Sequence, residues 1–310
     1  MKTFTERLYP DHGQYLGIDS VVCARRTEYQ DVLVFENQTF GTVLVLDGVI
    51  QLTELDNHIY HEMIAHVPLF AHGGAKDVLI IGGGDGGTLK QVLKHPVESV
   101  TMVELDAEVM EISRRYLPRV CGDAFEDPRL SMVIGEGAQY VAETDRRFDI
   151  IIVDSTDPVG RAKGLFADRF YSDCRVILRN DGIIAIQSGC PFYLSEEAGR
   201  IVSLLTECFG AARPYLAPVP TYAHGMLALI VAGATDNFIP TMNVLNSRPE
   251  MSGLETDYYS AEVHHAAFAI PPRFPHGRSD HGPEEQPATT LPDWIFRSVR
   301  QHKLVSRASP

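Results

Sequence analysis

Asp77-Val-Leu-Ile-Ile-Gly-Gly-Gly-Asp-Gly-Gly87 sets an apolar run, Val78–Ile81, directly against a turn made almost wholly of glycine. A short buried strand that ends in glycines and opens a helix is the nucleotide-binding corner of a doubly wound α/β fold. A glycine-rich turn by itself is weak evidence. Two carboxylates sharpen it: Asp85 inside the turn and Glu104 at the end of the next apolar run, Val100–Val103. A carboxylate at that second strand end can accept both ribose hydroxyls of an adenosine, whichever adenine compound binds. Asp85 discriminates further. A pyrophosphate seeks bare amide groups and the positive end of a helix dipole, and a carboxylate there would repel it. A nucleoside bearing a sulfonium suits the acidic turn better than NAD. The competing reading of Asp85 is a capping residue in a structural turn.

Outward from this corner, apolar runs at Leu130–Ile134, Ile150–Val153, Ile183–Ile186 and Met226–Val231 alternate with the amphipathic segments Gly87–Leu93, Glu108–Tyr116, Gly137–Glu143 and Glu196–Phe209. Strands covered on both faces read as continuous apolar runs, so a mostly parallel sheet is expected. Upstream, Asp31–Glu36 and Phe40–Gln51 are β-branched runs broken at Asn37-Gln38 and Asp47-Gly48, the pattern of hairpins. Ile59, Met63, Ile64 and Val67 then recur at helical spacing until Pro68 and Gly73-Gly74, where the segment is expected to close. Downstream of Phe268, Pro271-Pro-Arg-Phe-Pro and Pro283-Glu-Glu-Gln-Pro have the composition of an extended tail. A short basic amphipathic helix is conceivable from Asp293 to Val305. There is no internal repeat.

The 310 residues carry 27 Lys and Arg against 41 Asp and Glu, a formal charge of −14. Such a surface repels phosphate backbones and anionic membranes and admits cationic substrates. Five cysteines without a CxxC pair argue against a disulfide framework or a zinc knuckle, so a reducing cytoplasm is expected. No export signal or membrane-length apolar run is read from the sequence.

Further acids follow at strand ends. Glu136-Gly137 closes the third strand, where adenine would lie, or else caps the next helix. Asp154-Ser-Thr-Asp157-Pro-Val-Gly160 closes the fourth, at the crevice where open α/β sheets place their sites. Pro158 forces an extended turn, so Asp154 and Asp157 can face one cleft.

Together with Asp47-Gly-Val-Ile-Gln-Leu-Thr-Glu54, Tyr60-His-Glu-Met63, Val103-Glu-Leu-Asp106, Ile134-Gly-Glu-Gly-Ala138 and Pro220-Thr-Tyr222, these motifs resemble the polyamine aminopropyltransferases, most closely the bacterial spermidine synthases, from about Gln14 to Phe274. The resemblance implies transfer of the aminopropyl group of decarboxylated S-adenosylmethionine, a co-substrate and not a prosthetic group, to putrescine, giving spermidine and methylthioadenosine. It implies Gln30, Asp85, Glu104, Glu136 and Gly137 for the donor, with Asp85 on the aminopropyl ammonium. Tyr60, His61, Asp157, Gln187 and Tyr222 would line the diamine channel, and Asp154 would be the base. An ordinary aspartate near 3.9 is a feeble base for an amine near 10.4, so burial beside Asp157 is expected to raise Asp154. The resemblance also implies a homodimer or homotetramer formed partly through the N-terminal hairpins. Pattern and resemblance together give a Rossmann-like, methyltransferase-type doubly wound domain of seven strands over residues 57–274, a small N-terminal β domain over 1–56 and a tail over 275–310.

The pattern is not intact. Where the family writes Thr-Glu-Arg-Asp-Glu, this chain has Thr53-Glu-Leu55-Asp-Asn57, and Arg161 and Lys163 stand where a proline and an acid are usual. These departures bear on gating and on which amine is accepted. The alternatives are another acceptor (cadaverine, a longer diamine or spermidine), a methyltransferase, which Asp85 opposes, and a nucleoside-binding regulator without turnover. His61 lacks a clustered partner for a metal, and no metal site is expected. Cys190 reads as a buried spectator, His224 as either an acceptor contact or a loop cap, and His264-His265 as packing for the last helix.

Overall fold

The computed structural model describes residues 2–8, 12–155, 168–191, 195–248, 251 and 253–271, with the side chains of 195–197 excepted. Strands β1 (Lys2–Glu6) and β2 (Gln14–Ile18) form an antiparallel pair, and β3 (Ser20–Arg26), β4 (Asp31–Asn37), β5 (Gly41–Leu46) and β6 (Val49–Thr53) form a four-stranded antiparallel meander. The β5–β6 turn falls at Asp47-Gly48, with φ of 47° and 80°, both positive as the tight hairpin turn that matches strand twist requires. β4 is buried from Asp31 to Phe35 because both of its faces are covered. Leu33 and Phe35 pack with Phe4, Leu16 and Ile50; Val32 and Val34 pack with Leu44, Leu52, Val109 and Ile112.

Helix α1 (Asn57–His72) follows, then β7 (Asp77–Gly82), α2 (Gly87–Leu93), β8 (Ser99–Glu104), α3 (Ala107–Tyr116), α4 (Pro118–Cys121), β9 (Leu130–Ile134), α5 (Gly137–Glu143) and β10 (Phe148–Asp154). Beyond them lie α6 (Asp168–Ile177), β11 (Leu178–Gln187), α7 (Ser195–Phe209), β12 (Ala211–Ala217), β13 (Leu227–Gly233), α8 (Met242–Ser247) and α9 (Ala261–Ala267). The seven-stranded sheet runs β12-β13-β11-β10-β7-β8-β9, parallel except where β13 pairs antiparallel with β11 and β12. This is the expected Rossmann-like arrangement. The tail after Pro271 and the segment Asp293–Val305 lie outside the described residues.

Of the two breakers expected to close helix α1, Gly73-Gly74 does so and Pro68 does not. It passes through Pro68 and ends at His72, capped by Gly73 in the left-handed conformation. Pro68 is tolerated because burial outweighs the lost amide: every residue from Tyr60 to Phe70 is buried, and the Tyr215 hydroxyl donates to the Met63 carbonyl at 3.1 Å. A helix covered all round must hold any carboxylate it buries. The Glu62 carboxylate accepts the amides of Asp257, Tyr258 and Tyr259 at 2.7–2.9 Å, tying the C-terminal segment to α1.

The chain leaves β7 toward β8 and β9 on one side, then returns to place β10 on the other. That reversal opens a crevice at the carboxyl ends of β7 and β10, where Gly82 pairs in register with Asp154.

Candidate active site

The glycine turn is shaped by the strand beside it. Gly82 and Gly83 have φ of 83° and 75°, and the Gly83 amide donates to the Asp154 carbonyl at 2.8 Å. A Cβ on Gly82 would run into that carbonyl, so the turn can lie against β10 only with glycine there. Asp85 sits at the crest and is partly exposed. Its Oδ1 accepts the Gly87 amide at 2.7 Å and faces His61 Nε2 at 3.1 Å. One carboxylate therefore both ties down the turn it stands on and pairs with His61, while the N-cap position of α2 is Gly86 and takes no side-chain cap. The His61 ring lies flat on Gly87, where a Cβ would collide with it.

Asp154 ends β10 and is buried. Tyr60 donates to its Oδ1 at 2.6 Å. Its Oδ2 is buried without a hydrogen-bond partner among the described residues and lies 3.0 Å from where a Gly83 Cβ would stand. Thr88 beneath it offers a hydroxyl that favours the anion but does not reach hydrogen-bond geometry. Burial first, and then the charge of Asp85, push the Asp154 carboxyl above the ordinary carboxylate range. The expected rise is present with Asp85 as the charged neighbour; Asp157 lies outside the described residues, as do Arg161 and Lys163. Burial and the Asp154 charge drive the Tyr60 phenol well above its ordinary value, so it acts as a donor. Burial alone would suppress charge on His61 and Asp85, but each holds the other ionised: His61 is raised and Asp85 lowered by their mutual attraction and hydrogen bond.

Glu104 ends β8, buried, with Oε1 accepting the Asp106 amide at 2.8 Å and Oε2 3.0 Å from where a Gly84 Cβ would stand. Desolvation pushes its carboxyl up to about 7, with the Asp106 charge adding to the rise. Asp106 is the link to Gln30: its Oδ2 accepts Gln30 Nε2 at 3.0 Å and the Thr27 hydroxyl at 2.7 Å, while its Oδ1 caps α3. On the next strand end, Glu136 is the N-cap residue of α5 without a side-chain cap bond, and Gly137 begins that helix.

On the opposite wall, Gln187 donates to the Ser155 carbonyl at 2.9 Å and accepts the Gly189 amide at 3.1 Å, which fixes its amide at the end of β11. The Tyr222 ring stands 6.1 Å from that of Tyr60, and its hydroxyl donates to the Gln51 carbonyl at 2.8 Å. Thus Tyr60, His61, Asp85, Asp154 and Tyr222 gather at one end of the crevice, with Glu104, Asp106 and Gln30 along β8. Leu55 is 52% exposed.

Three supporting residues were given no structural role in the sequence reading, although Asn57 stood there as a departure from the family pattern and Asp106 within a motif. Asp56 takes the Thr53 hydroxyl at 2.6 Å and the Thr221 amide and hydroxyl at 2.6–2.8 Å, joining the start of α1 to the loop that bears Tyr222. Asp106 links Gln30 to Glu104. Asn57 reaches His61 Nδ1 at 3.3 Å. Of the other candidates, Cys190 is buried, His224 packs against His12 with ring centres 4.5 Å apart and planes tilted by 54°, and His264 is buried against the Phe238 carbonyl. Among the described residues no three His, Cys, Asp or Glu side chains converge as a metal site, and no helix is long and apolar enough to cross a membrane.

Comparison with known proteins follows the same outline. Residues 57–242 match the family model described as Spermine/spermidine synthase domain, and residues 3–54 that described as Spermidine synthase tetramerisation domain. A polyamine aminopropyltransferase of Ruegeria sp. (strain TM1040) is 48% identical over 269 residues, 86% of this chain and 95% of the relative. Polyamine aminopropyltransferase 1 of Pseudomonas aeruginosa is 44% identical over 274 residues, covering 87% of this chain and 96% of its own. Among solved structures, a spermidine synthase in complex with the transition-state analogue AdoDATO superposes with a TM-score of 0.82 at 37% identity, covering 87% of this chain and 92% of that one. The spermidine synthase of Thermotoga maritima gives 0.81 at 37% identity with the same coverage.

Proposed function

The chain belongs to the spermine/spermidine synthase family, as a polyamine aminopropyltransferase, and we propose that its donor is decarboxylated S-adenosylmethionine and its acceptor putrescine. The observation that carries this reading is the state of Asp154: one oxygen held by Tyr60, the other buried and unpartnered beside the turn that presents Asp85.

In this reading Glu104 accepts the ribose hydroxyls, with Gln30 held behind it through Asp106, and Glu136 and Gly137 border the adenine. Asp85 takes the ammonium end of the aminopropyl chain. The sulfonium is already a good leaving group, so the carbon–sulfur bond breaks with its electron pair passing to sulfur and no acid is needed. The difficulty lies in the nucleophile. A diamine with a lysine-like pKa near 10.4 arrives protonated, and one amine must shed a proton before it forms the new carbon–nitrogen bond. Asp154 Oδ2 is the acceptor for that proton. A buried carboxyl raised above its ordinary range is a better base than a solvated one, and Tyr60 on Oδ1 keeps the free lone pairs directed at the crevice. Asp157 would hold the distal ammonium, between walls made by Gln187 and Tyr222. Alignment of nitrogen, carbon and sulfur supplies much of the acceleration. The net charge of −14 draws the dication toward the crevice.

The same reading assigns the N-terminal domain, residues 1–56, to assembly into a homo-oligomer, residues 57–274 to catalysis, and the protein to the cytoplasm. One assay tests the chemistry: decarboxylated and ordinary S-adenosylmethionine, each offered with diamines of graded length and with spermidine. Spermidine and methylthioadenosine from the decarboxylated donor and putrescine are expected. A preference for a longer amine replaces the acceptor, product from the carboxylated donor alone selects methyl transfer, and donor binding without product selects a regulator.

A further inference from the structure

His61 is held between two acceptors. The Asn57 amide is oriented by its own Nδ2, which donates to the carbonyls of Thr53 at 2.9 Å and Glu54 at 3.1 Å. Reversing that amide would set its oxygen against two carbonyls, so Oδ1 is the atom that faces His61 Nδ1 at 3.3 Å. On the other side of the ring, Nε2 faces the Asp85 carboxylate at 3.1 Å. A neutral imidazole carries one N–H and one lone pair, and either tautomer would aim that lone pair at an oxygen inside a buried site. Only the doubly protonated ring satisfies both contacts.

We propose that Asn57 is a positioning residue that locks His61 as the imidazolium, so that Asp85 carries an internal cation which the substrate ammonium must replace. The proposal rests on the assignment of Asp85 to an ammonium group. The groups facing His61 agree with it. From α1 come Asn57 and the Tyr60 phenol, kept neutral; from the glycine turn and α2, Asp85 and the more distant Lys90; from β10, Asp154. Burial and Lys90 oppose the ring's charge, while Asp85 and Asp154 favour it and prevail, raising His61 above its ordinary value. Binding of an ammonium at Asp85 then removes the reason for the second proton, and His61 releases it to solvent as the ammonium settles. Substrate charge and ring proton compete for one carboxylate. The chain's departure at position 57, an amide in place of an acid, tunes that competition: an acid there would hold the proton more strongly.

Two measurements decide it. In 15N spectra of histidine-labelled protein at pH 7, His61 is assigned by the signal lost in His61→Gln, or, should that variant not fold, by the signal that moves in Asn57→Asp. Two protonated ring nitrogens are expected; a neutral tautomer overturns the proposal whatever the protein catalyses. The second measurement takes the ratio of affinities for decarboxylated S-adenosylmethionine and for methylthioadenosine, which lacks the ammonium, across pH 5.5–9. The ratio should rise by up to about tenfold per pH unit below the His61 midpoint, with the midpoint lower in Asn57→Leu and higher in Asn57→Asp. A ratio that is flat with pH, or a midpoint that both substitutions leave in place, contradicts it. Failure of either nucleoside to bind refutes the functional reading instead, and leaves the spectra to decide the ring's charge.

Discussion

Replacing Glu104 by glutamine should stabilise the ligand-free protein in alkaline solution while weakening its hold on the donor. Glu104 is 9% exposed, its carboxyl is pushed up to about 7 chiefly by desolvation, and an unfolded glutamate titrates near 4.5. The folded state therefore binds this proton more tightly than the unfolded state. Its stability contribution is full below about pH 4.5 and is lost as pH rises through about 7. At 1.36 kcal/mol per factor of ten, the difference amounts to roughly 3 kcal/mol once the carboxylate is ionised. Glutamine keeps an oxygen for the Asp106 amide and never carries the charge. Urea denaturation of both proteins without ligand, at pH 5 and pH 8.5 and at fixed protein concentration, isolates the effect. The change in the variant-minus-native difference between the two pH values cancels any constant packing cost. The expected change is about 1–3 kcal/mol in favour of Glu104→Gln at pH 8.5. An identical difference at both pH values would refute the claim that the empty site holds a desolvated acid. Methylthioadenosine affinity, measured in parallel, should fall in the variant, since two hydroxyl donors lose an ionised acceptor.

Gly87→Ala drives a methyl group into the His61 ring, and although alanine favours a helix by about 1 kcal/mol, turnover should drop roughly 10²-fold as His61 and Asp85 lose register. Steady-state kinetics check this, and an unchanged rate would show that the ring is free to move. Asp56→Ala strands the Thr221 amide and hydroxyl, so a loss of about 2 kcal/mol in denaturant stability and a raised KM for the amine are expected. Tyr60→Phe removes a hydrogen bond that favours the Asp154 anion. The acidic limb of the rate profile should therefore move to higher pH, and a shift the other way would contradict the assigned donor.

The strands were readable wherever both faces of the sheet are covered, because continuous apolar runs then have one explanation. β12 was not. Ala211-Ala-Arg-Pro-Tyr-Leu-Ala217 is an edge strand containing Pro214, and neither alternation nor an apolar run marks it. α6 likewise went unread between Asp168 and Ile177. The end of α1 was legible at Gly73-Gly74, whereas Pro68 does not break the helix because the packing of α1 overrides a local breaker. At the site, Asp85, Glu104 and Asp154 were legible as carboxylates at strand ends, a position the fold makes chemical. The role of Asp56 was not, and Asn57 was marked only as a departure, since their partners depend on placement: Thr221 lies 165 residues from Asp56, and the Asn57 amide acts through a ring one turn along its own helix. Nor could the sequence say that Asp85, and not only a second acid on the same loop, charges the surroundings of Asp154.

The measurement closest to the central claim is single-turnover transfer by Asp154→Asn, with donor affinity determined on the same preparation. An amide leaves the shape of the site and its contact with Tyr60 but offers no group that can take a proton from the attacking amine. Turnover should fall by about 10² or more while donor affinity stays within a few-fold of the native protein. A rate near the native value, or a loss accounted for wholly by weaker donor binding, would contradict proton transfer to Asp154.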